Sequence, residues 1–319
     1  MRPELLVIGL AGFLAQLVDG SLGMGYGVSA SSILLAAGTA PAAVSASVNL
    51  AQVGTTLASG VSHWRADNVD LRVLPWLAVP GMIGGLTGAL LLSVLPMTLA
   101  GPVMAAVLTL LGLSVLWRFV RLPDRAQTGP ADTDRAPDDL HRAPARTAMP
   151  SRLALVPLAL VGGTLTGCGG GGWGPVVTST LLSRGTAPRT TIGSVSAAEF
   201  AVTVGASSGF LLGLGLGAVS VGPVLALLIG GAVAAPIAAR VAGRLPARLL
   251  GLAVGAMVLV LNVPRLLQAV GVLHAPIVAV QGILAGSLLV GVLLAVAALH
   301  LQRARPAGRS SLGSVPDLP

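Results

Sequence analysis

Residues 167–174 read GCGGGGWG, six glycines in eight positions, set between two apolar runs. Each glycine in a helix interior costs about 1 kcal/mol relative to alanine, so a helix arriving from residues 152–166 is expected to break here. A shorter version, GMGYG, occupies residues 23–27. The two breaks are related by sequence. Gly38-Thr39-Ala40-Pro41 recurs as Gly185-Thr186-Ala187-Pro188, an offset of 147 residues, and that offset carries Gly23, Gly25 and Gly27 onto Gly170, Gly172 and Gly174. Tyr26 then falls on Trp173, Ser47 on Ser194, Asn49 on Ser196 and Gln52 on Glu199. One internal duplication accounts for all of these matches.

The solvent of this chain is lipid. It is 54% hydrophobic and only 9% charged, with a mean hydropathy of +0.88, which no soluble domain with a polar exterior shows. Alternating strands and aromatic girdles, the marks of a membrane barrel, are missing, and the many glycines suit closely packed helices instead. All 19 basic residues are arginine and the net charge is +8; lying in loops beside apolar segments, they report topology and nearness to anionic lipid, not nucleic acid. A single cysteine, Cys168, forbids an internal disulfide, and four scattered histidines offer no metal-ligand spacing. The expectation is therefore no metal and no cofactor. The opening segment lacks a small-x-small cleavage site and is kept in the mature fold.

Seven apolar segments, beginning near residues 41, 71, 98, 188, 219, 246 and 276, have the roughly 20 residues needed to span a bilayer. The stretches 27–38 and 174–184 are shorter, about 16 to 18 Å as helices. Residues 121–151 hold five prolines and five aspartates and read as a flexible linker. The organisation expected is a first membrane repeat over 1–120, a cytoplasmic linker over 121–151, a second repeat over 152–268, a further spanning helix over 276–302 and a cytoplasmic tail over 303–319.

Arginine placement orients the halves. In the first, charges gather at Arg65–Arg72 and from Arg118 onward; in the second, at Arg184, Arg189 and Arg240–Arg248. These are not corresponding turns, so placing them all in the cytoplasm turns the second repeat upside down. Parity then requires each glycine-broken pair, 5–38 and 152–184, to enter and leave on one side, as a re-entrant hairpin whose tip reaches the midplane inside protein or a water-filled cavity. The fold class read from the sequence is thus an all-α integral membrane protein of two inverted repeats, each a re-entrant hairpin followed by three spanning helices, plus one C-terminal span. The N-terminus lies outside and the C-terminus in the cytoplasm, in the plasma membrane.

Helices that start after each break point their amides and positive dipole ends toward the midplane, where glycine lets an anion approach bare backbone. Gly23, Gly25, Gly27, Gly170, Gly171, Gly172 and Gly174 are therefore candidate substrate-binding residues, the competing reading being close helix packing. Polar residues within the spans, Ser47, Asn49 and Gln52 in the first half and Ser194 and Ser196 in the second, join them. A carboxyl at membrane depth is expensive to charge and tends to hold a proton, which makes Glu199 the candidate proton carrier, against a structural role bonded to Gln52 or Asn49. Asp19 could cap the hairpin tip, bind a coupling ion or pair with an arginine. His63-Trp64 reads as an interfacial anchor and Cys168 as a packing residue. No nucleophile and base are paired by any motif, so no enzyme is expected.

The repeated pattern, GMGYGVSASSILLAAGTAP and then GGGGWGPVVTSTLLSRGTAP, resembles the TauE/SafE sulfite exporter family of membrane permeases over nearly the whole chain outside linker and tail. Met24 and Tyr26 depart from the glycine-rich form of the motif. The resemblance implies transport of a small oxoanion or organosulfur anion such as sulfite. With no Walker motif in the chain, a secondary transporter working by alternating access is expected; an anion channel and a non-transporting membrane subunit are the alternatives. The expected partners are the small anion and the lipid bilayer, with no nucleic acid and with association between copies left open.

Overall fold

The computed structural model describes residues 3–22, 24–121, 150–215, 220–241 and 247–304, and among these it is helical without a strand. Helices α1 (Pro3–Leu22) and α2 (Tyr26–Ala36) flank the first glycine break, followed by α3 (Pro41–Arg65), α4 (Leu74–Val94) and α5 (Met97–Arg121). α6 (Arg152–Gly169) leads into the second break, and a π-helical turn (Gly174–Thr178) runs on into α7 (Ser179–Ser183). α8 (Pro188–Leu214), α9 (Val221–Val241), α10 (Ala247–Ala269) and α11 (Ile277–Ala304) complete the chain. The expected linker and tail lie almost entirely outside the described residues.

Among the described residues, α4, α5, α6, α8 and α10 are each long and apolar enough to cross a membrane, and the chain is a multi-pass membrane protein. α3 is 25 residues long but falls short on hydropathy. Its polar side chains explain this: Ser45, Ser47, Asn49, Gln52 and Thr56 are all buried, so α3 turns a polar face inward instead of presenting apolar residues all round.

The second break sits later than its glycine content suggests. Gly167, Cys168 and Gly169 remain in α6, and the chain turns at Gly170, whose φ is 75°. The reason is tertiary: Gly167 lies on the backbone of α4, where a side chain would press on Ala89 N, so here glycine serves close helix approach. The segment after the break is also not one regular helix. Pro175 has no N–H to give, and the first turns widen into the π form, which recurs at functional sites. The matching segment α2 is an 11-residue helix, about 16 Å long.

The repeated GTAP motif folds the same way twice. Gly38 (φ 87°) and Gly185 (φ 79°) take the left-handed conformation. The N–H groups of Gly38 and Thr39 bond to Leu35 O and Leu34 O, and those of Gly185 and Thr186 to Leu182 O and Leu181 O. These are paired C-terminal caps, and each is followed by a proline at the start of the next long helix, where a missing N–H costs nothing.

Packing joins the halves to each other. α1 lies along α9 and α6 along α4, each pair running in the same direction; α4 lies along α8 in the same sense. α3 packs antiparallel on α8, with Gly60 against Ala197, and α5 packs antiparallel on α10, with Gly112 against Val258 and Gly255 against Leu116. Thr56 and Thr203, 147 residues apart, share a hydrogen bond of 3.3 Å between their hydroxyls at the α3–α8 contact. α6 ends level with the interior of α4: Cys168 Sγ bonds to Gly88 O at 3.4 Å, short of the end of α4 at Val94. Three apolar clusters surround this arrangement, one around α2 and α3, one around Trp173 and one around Phe210.

Candidate functional site

The two glycine breaks touch. A Cβ added to Gly27 would collide with Gly170 O and Gly171, and one added to Gly171 would collide with the backbone of Gly27. No side chain fits between them, which is the local reason for glycine on both sides of the contact. The remaining glycines are also taken up by packing: Gly169 against Val107, Gly170 against Ser31, Gly172 against Leu165 and Gly174 against Met24. Close packing thus accounts for the run as a whole, and the case for a ligand rests on what surrounds the contact.

Each break is braced across its own turn by the residue at the same repeat position. Asp19 Oδ1 accepts the Tyr26 N–H at 3.3 Å, and Thr166 Oγ1 accepts the Gly172 N–H at 3.1 Å. Carboxylate and hydroxyl both accept, so the aspartate and threonine brace their turns in the same way. The aromatic residue of each break is buried with its polar atom satisfied: Tyr26 OH donates to Leu227 O at 3.2 Å, and Trp173 Nε1–H donates to Val195 O at 2.9 Å.

Beside the contact lies a cavity of about 260 Å³. Its walls are the end of α1 (Gln16, Asp19), the first turn of α2, the α3 face from Gln52 to His63, the second break with its π-turn, and α8 from Ile192 to Glu199. First-turn amides of a helix have no intrahelical partners, so the start of α2 gives this wall a positive character. The ionisable side chains lining the cavity are Asp19, Tyr26, His63 and Glu199, and no arginine is among them. Asp19 and Glu199 are partly exposed. Among the described residues nothing hydrogen-bonds to the Glu199 carboxyl, neither Gln52 nor Asn49, and Gln52 Oε1 is buried without a partner. The volume is at the small end for ligand sites, enough for a small polyatomic ion and a few waters.

Of the residues singled out from sequence, Gly25, Gly27, Gly171, Gly172, Gly174, Gln52, Ser196, Asp19 and Glu199 line this cavity. Gly170 belongs to the contact behind it. Asn49 is buried next to the wall, its Nδ2 donating to Ser45 O at 2.9 Å and Thr166 O at 3.3 Å, while Ser45 Oγ donates to Gly167 O at 2.7 Å. Ser194 Oγ instead accepts the Asp70 N–H at 2.8 Å, fastening the α3–α4 loop to α8. Ser47 faces a separate recess of about 170 Å³ that includes Thr39 and Ser220. Gly23 lies outside the described residues.

Among the lining residues that escaped the sequence reading are Gln16, Tyr26, Thr56, Ser59, His63 and Thr178. The signal for His63 was present, because Gln52, Thr56, Ser59 and His63 fall at helical spacing on one face of α3. Trp64 next to it is 61% exposed, as an interfacial side chain should be. Arg265 also departs from the loop pattern. It sits within α10, where its Nη2 donates to Ala36 O at 3.2 Å at the end of α2, a position in which a cation is stabilised by the helix dipole. Arg118, 147 residues earlier, donates to Ser179 Oγ at 3.1 Å and Met24 Sδ at 3.0 Å. Each arginine therefore holds the short post-break helix of the other half.

A family model described as sulfite exporter TauE/SafE matches residues 8–265. The chain is 43% identical over 266 residues to a Bacillus subtilis (strain 168) protein described as probable membrane transporter protein YtnM, covering 83% of each chain. No solved structure matches.

Proposed function

Because the chain belongs to the TauE/SafE family of membrane transporters, we propose that it is a secondary carrier of a small anion of the sulfite or organosulfonate kind, working by alternating access at the cavity between its two glycine breaks. The family and the relative are transporters, and transport is not catalysis. The observation that carries the reading is the cavity itself: it sits where the breaks meet, combines helix-start amides with polar side chains, and holds a carboxyl, Glu199, that no group among the described residues hydrogen-bonds.

The two halves form inverted repeats. Supporting this are the antiparallel packing of equivalent helices, α3 on α8 and α5 on α10, and the exchange of partners, α1 with α9 and α6 with α4. Repeats related by an axis along the membrane normal would set equivalent helices parallel. With the arginine-rich turns in the cytoplasm, the N-terminus lies outside the plasma membrane, the C-terminus inside, and each break is the tip of a hairpin. The cavity runs along α3 from Gln52 toward His63, about 16 Å, in the direction of Arg65 and the start of α8. It faces the cytoplasm.

Two carboxyls in the wall also set the coupling. An anion beside Asp19 and Glu199 is repelled while they are charged and accepted once they carry protons, so anion and proton favour each other's binding. For a doubly charged anion with one proton, one negative charge crosses. A cytoplasm-negative potential then drives export with ~2.3 kcal/mol per 100 mV.

Flux into proteoliposomes is the test. The carrier predicts saturable sulfite or sulfonate flux that rises as the medium is acidified. Ohmic conductance without saturation would identify a channel, and no flux across a broad panel of small anions would identify a non-transporting subunit.

A further inference from the structure

The cavity runs along α3 from Gln52 to His63, and the internal repeat says what would line a mouth at its opposite end. We infer that the substrate site has a second, presently closed mouth formed by Ser31, Ser45 and Asn49, with Gln52 and Glu199 common to both states. The inference rests on the alternating-access reading given above and deepens it.

In an inverted repeat, the opposite-facing state is generated when the halves exchange conformations. Each residue lining the open mouth then hands its place to the residue 147 positions away. Thr178, Ile192 and Ser196 line the cavity from the second half; their counterparts are Ser31, Ser45 and Asn49. Gln52 and Glu199 are each other's counterparts and both line the cavity already, so the exchange returns the same pair. The Thr56–Thr203 hydrogen bond, between equivalent residues, marks the line about which the exchange takes place.

An independent observation falls on Ser31 and Asn49 of this mouth and on the shared Gln52, while Ser45 Oγ donates to Gly167 O. Ser31 and Asn49 are wholly buried and Gln52 nearly so, yet Ser31 Oγ, Asn49 Oδ1 and Gln52 Oε1 have no hydrogen-bond partner. They are three of the six residues with a buried side-chain oxygen in that condition among those described. A protein with one conformation gains nothing from unpaired buried oxygens. A protein that opens this mouth to water and substrate in its second state satisfies them there.

What shuts the mouth is also visible. Where the open side has Ser59 and His63, the closed side has their counterparts Ala206 and Phe210, fully buried in an apolar cluster with Ala46, Ala89, Leu92 and Ala100. Opening requires this cluster to separate, so Phe210 is the plug of the second mouth.

The experiment is sided labelling with a membrane-impermeant maleimide in a Cys168→Ser background, on right-side-out and inside-out vesicles, alongside anion flux. Ser31→Cys loses no hydrogen bond; Asn49→Cys reads the same mouth if the first variant fails to fold. Ser59→Cys is expected to react from the cytoplasmic face only and Ser31→Cys from the outer face only. Adding Phe210→Ala should raise labelling at Ser31→Cys at least about tenfold and lower it at Ser59→Cys. If both second-mouth cysteines stay inert from outside in protein that still shows saturable flux, the second mouth is elsewhere and the inference fails while the carrier survives. If Ser31→Cys and Ser59→Cys each react from both faces, the path is a continuous pore and alternating access itself fails.

Discussion

Glu199→Gln is expected to abolish concentrative transport and to flatten its pH dependence, while anion exchange across the membrane continues. The carboxyl faces the cavity, and among the described residues nothing in the protein bonds to it, so an amide of the same shape fits with no lost contact. Glutamine resembles the protonated acid, the form beside which an anion is stable. Binding should therefore persist at alkaline pH, where the wild type loses affinity as its carboxyls ionise. The variant can no longer return a proton, and uphill flux should fall by about tenfold or more, equivalent to ~1.4 kcal/mol of lost coupling. Concentrative uptake and counterflow, each measured between pH 5.5 and 8.5, separate the two activities. A wild-type pH profile in the variant would remove Glu199 as the proton carrier and leave Asp19 and His63 as the remaining titratable walls beside Tyr26.

The second large effect is structural. Gly27→Val should destabilise the protein by about 3 kcal/mol or more and reduce transport to background, because the new side chain meets Gly170 O and Gly171, which are backbone and cannot rotate away. The control is Gly286→Val on α11, where nothing lies within 4 Å and only lipid need adjust. Thermal unfolding in detergent together with flux reads both. A Gly27→Val protein that melts and transports like the wild type would mean that the breaks do not meet.

The two matching turns were legible because they are written in residues with few alternatives. Gly38 and Gly185 need a left-handed conformation and Pro41 and Pro188 start helices, so the offset could be read off and then carried to every other position. The same offset pairs Ser47 with Ser194, which the structure sets in different surroundings. Equivalence in sequence does not mean equivalence of surroundings: Ser194 holds Asp70 of the α3–α4 loop, and Ser47 opens on a different recess. The second break falls at Gly170, inside the stretch read as the break, but propensity cannot report that Gly167 stays in the helix for contact with α4. His63 was hidden by its place at a helix end next to an exposed tryptophan, and only the stripe from Gln52 onward would have connected it to the cavity. That each glycine of the run is fixed by packing was beyond reach from one sequence, as it depends on which helices the breaks meet.

The central claim, that two halves of opposite orientation bring their glycine breaks together, is tested most directly at the corresponding turns after α3 and α8. In a Cys168→Ser background, Ala66→Cys and Ser220→Cys are labelled with an impermeant reagent in vesicles of known sidedness. Inverted repeats predict that Ala66→Cys reacts only from the cytoplasmic face and Ser220→Cys only from the outer face. Reaction of both from the same face would contradict the inversion, and with it the midplane site built on it.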